Sequence, residues 1–427
     1  MLYQSTRNAR HRASLKEALL AGLAPGGGLY LPERVPVVPC ETVSGWRHRA
    51  DFLTIATGIA TAWFGEDLAA AWLDAIVREA YYFPLPLRSC GPWELGELFH
   101  GPTLSFKDIA AQFLMRLLDR IMARDNEQAL ILTATSGDTG SAVAAACHGR
   151  ERLRAVILYP LGRISRVQEQ QIATWGGNVT AVAVPGDFDD CQRLVKEALQ
   201  HERLDGWHVT SANSINIGRL LPQTIYYWYF ALRTAQPSPL TMVVPSGNFG
   251  NLTAGVLAKR MGAPIAGFIG ATNANDAVPR YLATGRYAPR STVPTMANAM
   301  DVGAPSNFER LRTLYHDDAG AMAHDITGCV ITDAEAQAVM HEIHARHGLV
   351  IDPHTAMACA AAMRHPAAHA LILATAHPAK FPDIVTATTG ATPERPESLQ
   401  ATCARPLQRV MLPAATPSAL HDLLKDY

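Results

Sequence analysis

Long apolar runs are missing from this chain of 427 residues. No stretch approaches the roughly 20 consecutive apolar residues that a membrane-spanning helix needs. The N-terminal stretch MLYQSTRNARHRASLKEALL contains basic residues but lacks the apolar core of a secretory signal peptide. We therefore expect a cytoplasmic protein that does not bind a membrane.

An excess of either charge is missing as well. The chain has 37 lysines and arginines against 38 aspartates and glutamates, a formal net charge of -1. Such a balance provides no broad basic surface for nucleic acid or an anionic membrane. With 48% hydrophobic and 18% charged residues, the composition is typical of a globular enzyme. The length exceeds one ordinary core, so two or three domains are expected.

Closely spaced cysteines are also absent. The seven cysteines are scattered, which argues against a disulfide framework or a zinc ribbon. His341, His344 and His347 follow one another at intervals of three residues in HEIHARH. This pattern lacks the i, i+4 pair of a zinc protease and drifts around a helix by about 60° at each step. We interpret it as a polar helix face and expect no metal.

Short apolar runs alternate with helical patterns from about residue 128 onward. ALILTA, LRAVILYP, NVTAVAV and LTMVVP each precede a helical pattern, and APIAGFIGATN and LILATA are further candidate strands. The alternation predicts an α/β protein whose parallel sheets carry helices on both faces. Such sheets bind ligands beyond the carboxyl ends of their strands. The turns SGDTGS, PSGNFGN and TAHPAKF follow predicted strands and are therefore candidate binding loops.

Lys107 is unusual because it lies where the Gly101-Pro102 turn leads directly into an apolar helix. An apolar stripe that recurs every four residues indicates this helix: Ile109, Phe113, Leu117 and Ile121. Both the helix dipole and partial burial disfavour a cation at a helix start. Two interpretations remain. The lysine is either a surface side chain with a packed stem or an amine kept easy to deprotonate for use as a nucleophile.

Two glycine-containing turns have the features of anion sites. In VVPSGNFGNLTAG, several backbone N–H groups can turn toward the start of the following helix, which suits a phosphate. Its glycine spacing is neither that of a Rossmann nor that of a Walker loop. The turn in TATSGDTGSA offers hydroxyls and amides that suit a carboxylate. Asp138 within it either points away or meets a cation. For both turns, a purely structural connection between strand and helix is the alternative.

Thr375 follows another predicted buried strand, in LATAHPAKF. A hydroxyl at a strand end is usually structural when it is taken alone. Together, one lysine, one phosphate loop, one carboxylate loop and one hydroxyl match the needs of pyridoxal phosphate. That cofactor requires an amine for its aldehyde, a nest for its phosphate and a partner for its ring nitrogen.

These segments resemble the threonine synthase family of fold type II pyridoxal-phosphate enzymes. The resemblance rests on HGPTLSFKD, TATSGDTGSA, NSANSINIGRLLPQTIYY, VPSGNFGNLTAG, ATNANDAVPRYL, NAMDVGAPSNFERL and TAHPAKF, which occur in family order. It covers most of the chain and matches the bacterial and fungal subgroup. It implies two parallel-type sheets flanked by helices, with the cofactor between the domains. The implied domains are an N-terminal subdomain associated with the large domain (1–95), a small cofactor domain (96–224) and a large cofactor domain (225–427).

The resemblance also implies a role for each matching residue. Lys107 matches the lysine that forms the Schiff base with the cofactor, and Thr375 matches the hydroxyl that faces the pyridine nitrogen. The loop that binds the cofactor phosphate comprises Gly247, Asn248, Phe249, Gly250 and Asn251. The loop that receives the substrate carboxylate comprises Ser136, Gly137 and Thr139. Asp138 lies beside the cofactor's phenolic oxygen, where many relatives have asparagine. The expected ligands of the substrate phosphate are Arg163, Ser165, Asn216 and Arg219.

The implied activity is that of a carbon-oxygen lyase in amino-acid biosynthesis. O-phospho-L-homoserine and water would give L-threonine and phosphate, by γ-elimination and β-addition, as the last step of threonine biosynthesis. The partner is this small-molecule substrate, and the enzyme is a monomer or a homodimer. Alternatives are a dehydratase of serine or threonine, a relative that releases 2-oxobutyrate, a non-catalytic cofactor-binding protein and a nucleotide-binding α/β protein.

Overall fold

The computed structural model describes residues 1–200, 203–204, 206–236, 238–365 and 369–425. The strands are β1 (Tyr3–Ser5), β2 (Arg12–Ala13), β3 (Tyr30–Pro32), β4 (Leu87–Cys90), β5 (Trp93–Glu97), β6 (Ala129–Ala134), β7 (Leu153–Pro160), β8 (Val179–Val184), β9 (Arg203–Leu204), β10 (Trp207–Ser211), β11 (Leu240–Pro245), β12 (Ile265–Thr272), β13 (Ile326–Val330), β14 (Ala370–Ala374) and β15 (Arg409–Met411).

Helices connect these strands along the whole described chain. They are α1 (Leu15–Ala21), α2 (Cys40–Arg49), α3 (Phe52–Phe64), α4 (Ala70–Ala80), α5 (Lys107–Asp125), α6 (Asp138–Cys147), α7 (Arg166–Ala173), α8 (Phe188–Ala198), α9 (Ile217–Leu220), α10 (Thr224–Arg233), α11 (Gly250–Arg260), α12 (Ala277–Thr284), α13 (Phe308–Leu314), α14 (Ala319–Asp325), α15 (Asp333–His347), α16 (Pro353–Arg364), α17 (Pro382–Thr389), α18 (Glu397–Cys403) and α19 (Pro417–Leu424). Short 3-10 helices span Pro25–Gly27, Leu221–Gln223, Asn298–Met300 and Pro378–Lys380.

Two six-stranded sheets form the body of the molecule, and a three-stranded sheet of order β2-β1-β3 lies near the N-terminus. The first large sheet has the order β15-β8-β7-β6-β10-β9, and the second has the order β13-β12-β11-β14-β5-β4. Within each, all neighbours are parallel except the edge pairs β10–β9 and β4–β5. The predicted α/β class with two parallel-type sheets is confirmed.

The predicted strands are those whose side chains are buried on both faces. All residues of β6 and β14 are buried, so these strands appear in the sequence as continuous apolar runs. The runs that became β7, β8, β11 and β12 were predicted on the same basis. By contrast, β10 (WHVTS) and β13 (ITGCV) mix polar and apolar residues and gave no such signal.

Two strands belong to a different sheet from the one that their place in the sequence suggests. β5 spans the expected boundary at 95/96 and belongs to the second sheet, whereas β15, near the C-terminus, pairs with β8 in the first sheet. α18 and α19 accordingly pack on α7 and α8. The domain limits 1–95, 96–224 and 225–427 therefore stay a prediction. That prediction did not include the packing of the C-terminal segment, β15 with α18 and α19, on the first sheet and its helices.

Helix α5 begins at Lys107 and packs against α4, α6 and α9. Its predicted apolar stripe is completely buried, with at most 2% of each side chain exposed: Ile109, Phe113, Leu117 and Ile121. This burial anchors the helix start that carries Lys107. Within the described residues, no helix is both long and apolar enough to span a membrane.

Candidate active site

Neighbouring parallel strands of the second sheet deliver two of the predicted loops to one edge. β11 ends at Pro245, just before the loop of Gly247, and β14 ends at Ala374, just before Thr375. The segment before Lys107 pairs with the same edge: the Phe106 N–H donates to the Thr375 carbonyl at 2.9 Å. Lys107 and Thr375 are therefore held side by side through the backbone.

Asp108 shapes the turn that leads into α5. Its buried carboxylate accepts hydrogen bonds from the N–H of Thr103 at 2.8 Å and from the hydroxyl of Thr103 at 2.6 Å. A Cβ on Gly101 would lie 2.5 Å from the Asp108 carboxylate, so only glycine fits there. Leu104 adopts a left-handed conformation with φ of 61°. These constraints explain why a glycine-proline turn precedes the lysine.

The amine of Lys107 occupies an enclosed position. Only 16% of its side chain is exposed, and its Nζ lies 3.7 Å from the Oδ2 of Asp138. Burial lowers the pKa of Lys107; the positive charges of Lys380 and Arg219 act in the same direction, whereas Asp138 opposes them. The environment therefore favours an amine that deprotonates easily, as the nucleophile interpretation requires.

Asp138 meets a cation, which resolves the alternatives that its sequence position left open. Its Oδ1 lies 2.8 Å from the Nζ of Lys380 and accepts a hydrogen bond from the Nε2 of Gln168 at 3.2 Å. Burial alone would raise the pKa of Asp138, but the charges of Lys380 and Lys107 hold it well below its usual range. The carboxylate is therefore ionised.

The turn before α6 leaves two hydroxyls available for a ligand. The side chain of Thr135 accepts from the N–H groups of Gly137 and Gly140 at 2.9 and 2.8 Å, so its hydroxyl oxygen is occupied within the turn. Ser136 and Thr139 are partly exposed, and they lie where the N-terminus of α6 favours an anion. This arrangement suits a carboxylate.

The turn before α11 is fixed by its own side chains. The Nδ2 of Asn251 donates to the Pro245 carbonyl at 2.8 Å, and its Oδ1 accepts from the Ser246 hydroxyl at 2.9 Å. The amide of Asn248 donates to the hydroxyl of Ser214 at 2.5 Å. Phe249 has a φ of 59°, a strained conformation for a residue with a side chain. The loop is therefore held in place before any ligand arrives.

This second turn fits the phosphate of pyridoxal phosphate. The Nδ2 of Asn307 is buried and has no hydrogen-bond partner among the described residues. It lies 3.3 Å from the place that a Cβ on Gly250 would take, at the first residue of α11. A buried donor without an acceptor is costly, and a helix N-terminus adds further donors that point the same way. An anion such as phosphate would satisfy both.

The four expected ligands of the substrate phosphate differ in their surroundings. Arg219 is buried, its Nη1 donates to the Ala212 carbonyl at 2.5 Å, and its Nε has no partner in the described part of the chain. Arg163 is exposed in the turn after β7. Ser165 caps α7, and the amide of Asn216 donates to the carbonyls of Leu19 and Ser211 at 2.8 and 2.9 Å. Arg219 lies close enough to Lys107 for its charge to lower the pKa of that amine, whereas Arg163 faces solvent. Ser165 and Asn216 make structural hydrogen bonds.

Lys380 is the site residue that sequence reasoning missed. Its side chain is completely buried, and its Nζ donates to the Thr103 carbonyl at 2.8 Å. The quoted motif TAHPAKF contains it, so a signal existed: a lysine within a turn that follows a buried strand. The histidines of HEIHARH lie on α15, and no cluster of three or more possible metal ligands occurs among the residues described.

Comparisons with known proteins agree with this geometry. Residues 96–372 match the family of pyridoxal-phosphate dependent enzymes, residues 2–81 match the N terminus of threonine synthase, and residues 355–424 match its C-terminal region. Threonine synthase of Escherichia coli (strain K12) is 39% identical over an alignment of 434 positions that covers 100% of both chains. That of Serratia marcescens is 39% identical and covers 97% of both.

Solved structures give the same result. The crystal structure of threonine synthase from Escherichia coli superposes with a TM-score of 0.93 at 38% identity, over 100% of both chains. The structure of pyridoxal-phosphate-bound threonine synthase from Brucella melitensis superposes with a TM-score of 0.92 at 37% identity, over 100% of this chain and 99% of that one.

Proposed function

This chain belongs to the threonine synthase family of pyridoxal-phosphate-dependent enzymes, and on that premise we propose that it converts O-phospho-L-homoserine and water into L-threonine and phosphate. The observation that carries this proposal is the enclosed amine of Lys107, the first residue of α5. Its Nζ lies 3.7 Å from the Oδ2 of Asp138. The turn from Gly247 to Asn251, whose features suit a phosphate, follows a strand of the same sheet, and this supports the amine as the group that holds the cofactor.

In this proposal, the chain holds pyridoxal phosphate at three points. Lys107 would hold its aldehyde carbon, the turn from Gly247 to Asn251 would hold its phosphate, and the hydroxyl of Thr375 would serve its ring nitrogen. When bound, the cofactor withdraws electrons from the carbon next to the substrate amine and makes the protons there acidic. A hydroxyl, unlike a carboxylate, need not keep the ring nitrogen protonated, which moderates this withdrawal and favours elimination over transamination.

Lys107 is the group that we assign to proton transfer. Its Nζ lies at the end of a flexible four-carbon stem. That stem allows one amine to serve two adjacent carbons in turn. Burial is the first cause of the lowered pKa of Lys107, and a lowered pKa favours the basic form of the amine, which accepts a proton.

The substrate carries two anionic groups, so two further anion sites are required. Ser136, Gly137 and Thr139 at the start of α6 are assigned to the carboxylate. Arg219 and Arg163 are assigned to the phosphate. Ser165 and Asn216 support that phosphate site by capping α7 and α9, the second of which carries Arg219.

The cellular setting is part of the same proposal. A cytoplasmic location fits a biosynthetic enzyme of the threonine synthase family. We expect a monomer or a homodimer, which size-exclusion chromatography with light scattering distinguishes directly.

The experiment that tests the function is incubation of the purified holoenzyme with O-phospho-L-homoserine. Phosphate and threonine should appear in equal amounts, and Lys107→Ala should abolish both. Lys196→Ala, which removes an exposed lysine of α8, is the matched control and should leave the rate unchanged. Release of 2-oxobutyrate in place of threonine would replace this proposal by a relative that eliminates phosphate without adding water correctly. Activity only on serine or threonine would replace it by a dehydratase.

A further inference from the structure

A second amine is buried in the active site and has no part in the mechanism described above. Lys380 has 0% of its side chain exposed. Its Nζ makes two contacts of 2.8 Å, one with the Thr103 carbonyl and one with the Oδ1 of Asp138. A buried ammonium group is costly unless an opposite charge compensates it, so Asp138 is the group that makes this position tolerable.

The two oxygens of Asp138 are used differently. Oδ1 lies within hydrogen-bond distance of both Lys380 and Gln168. Oδ2 faces Lys107 at 3.7 Å, which is longer than an ordinary hydrogen bond. The carboxylate of Asp138 therefore pairs directly with the amine of Lys380 at 2.8 Å. Its contact with the amine of Lys107, at 3.7 Å, is longer and weaker.

We propose that Lys380 is a positioning residue that serves as the counter-ion of Asp138 and thereby keeps Lys107 unprotonated and reactive. The inference rests on the proposed function only in giving Lys107 the role of the reacting amine. Without Lys380, the charge of Asp138 would be left to Lys107. The ammonium form of Lys107 would then be stabilised, and its amine would be less available at neutral pH.

The charges around Lys107 come from several elements, and all of them bear on this balance. Asp138 faces it from α6, Lys380 from the turn Pro378–Lys380 and Arg219 from α9. His354 of α16 acts on Asp138, and Asp108 of α5 interacts with Lys380. Lys380 and Arg219 disfavour the ammonium form of Lys107, as burial does, while Asp138 favours it. Removing Lys380 therefore shifts the balance toward the protonated amine.

An asparagine at position 138 would carry no charge and need no counter-ion. Adding Asp138→Asn to the Lys380 substitution should accordingly restore the state of Lys107 that the loss of Lys380 alone disturbs. This gives the proposal a signature that simple damage to the packing does not share, because the second substitution must reverse the effect of the first.

The test measures the reactivity of Lys107 in the protein freed of cofactor. Reductive methylation with formaldehyde and cyanoborohydride is followed across the neutral and alkaline pH range, and the peptide that contains Lys107 is quantified by mass spectrometry. Lys380→Met should slow methylation at neutral pH at least about tenfold, which corresponds to a rise of about one unit in the pKa of Lys107. The double variant D138N/K380M should return to within about threefold of the unmodified protein, a residual equivalent to about half a pKa unit. Lys196→Met serves as the control.

Two results would overturn the inference: an unchanged profile in Lys380→Met, or a double variant as slow as the single one. Circular dichroism establishes that each variant is folded. If Lys380→Met does not fold, Asp138→Asn alone decides, because Lys380 is then uncompensated and Lys107 should react faster than in the unmodified protein at neutral pH. An equal or slower reaction would contradict the inference. No step depends on substrate turnover, so failure to form threonine and failure of this inference are separate outcomes.

Discussion

Replacing Gly247 by alanine tests whether the turn before α11 binds the cofactor phosphate. A Cβ at this position would lie 2.5 Å from the Cα of Met300 and 2.9 Å from its carbonyl carbon and oxygen. Non-bonded carbon atoms normally approach to about 3.5–4.0 Å. The turn or the segment around Met300 must therefore move by about 1 Å to admit one methyl group.

The segment around Met300 is poorly able to give way. Its neighbour Asp301 accepts hydrogen bonds from the side chains of Asn273 at 2.8 Å and Thr295 at 2.7 Å, and from the N–H of Thr295 at 3.0 Å. The displacement therefore falls largely on the turn before α11. Overpacking of this kind costs about 1–3 kcal/mol, so we expect the Kd for pyridoxal phosphate to rise by about 5–150-fold.

The assay is an equilibrium titration of the cofactor-free protein with pyridoxal phosphate, followed by absorbance or fluorescence. Gly45→Ala is the matched control, because a Cβ at Gly45 of α2 would meet nothing within 4 Å. It should leave the Kd unchanged. If Gly247→Ala binds the cofactor as tightly as the unmodified protein does, the assignment of the phosphate to this turn is wrong.

Three further changes test other parts of the site. Burial raises the pKa of Asp108 from 3.8 to about 6, so the folded protein binds this proton more tightly than the unfolded chain does. The contribution of Asp108 to the free energy of unfolding is therefore fully present below pH 3.8 and is lost as the pH rises through about 6, a change on the order of 3 kcal/mol. Denaturant unfolding of Asp108→Asn should lack this pH dependence, and parallel curves for the two proteins would contradict it. Arg163→Ala should raise KM for O-phospho-L-homoserine at least about tenfold, from the loss of one charge-assisted contact, with the cofactor Kd unchanged; an unchanged KM would remove Arg163 from the phosphate site. Thr375→Asp should increase the fraction of cofactor lost to transamination per turnover, and an unchanged partition ratio would count against the role of the hydroxyl.

Much of this architecture is predictable because burial on both faces leaves a clear pattern. β6 and β14 appear as apolar runs, and the glycine turn after β11 follows from its place between a strand and a helix. The start of α5 at Lys107 was predicted from a turn and a stripe that are adjacent in the sequence. Local signals of this kind identify the positions where a ligand can bind.

What the sequence could not give are the partners that the fold brings from a distance. Asp138 could be expected to pair with a cation, but no sequence signal near Asp138 indicates that Lys380, in the turn after β14, is its partner. Asn216 has a polar side chain beside a predicted anion site, yet its amide is occupied by the carbonyls of Leu19 and Ser211. The return of β15 to the first sheet is equally invisible, because three exposed residues give no strong strand pattern.

The central question is which amine holds the cofactor, because two lysines lie close to Asp138: Lys107, with 16% of its side chain exposed, and the fully buried Lys380. Reduction of the holoenzyme with borohydride fixes the cofactor to its amine, and peptide mass spectrometry then locates it. The account predicts a pyridoxyl group on Lys107. A pyridoxyl group on Lys380, or on no lysine of the site, would contradict it.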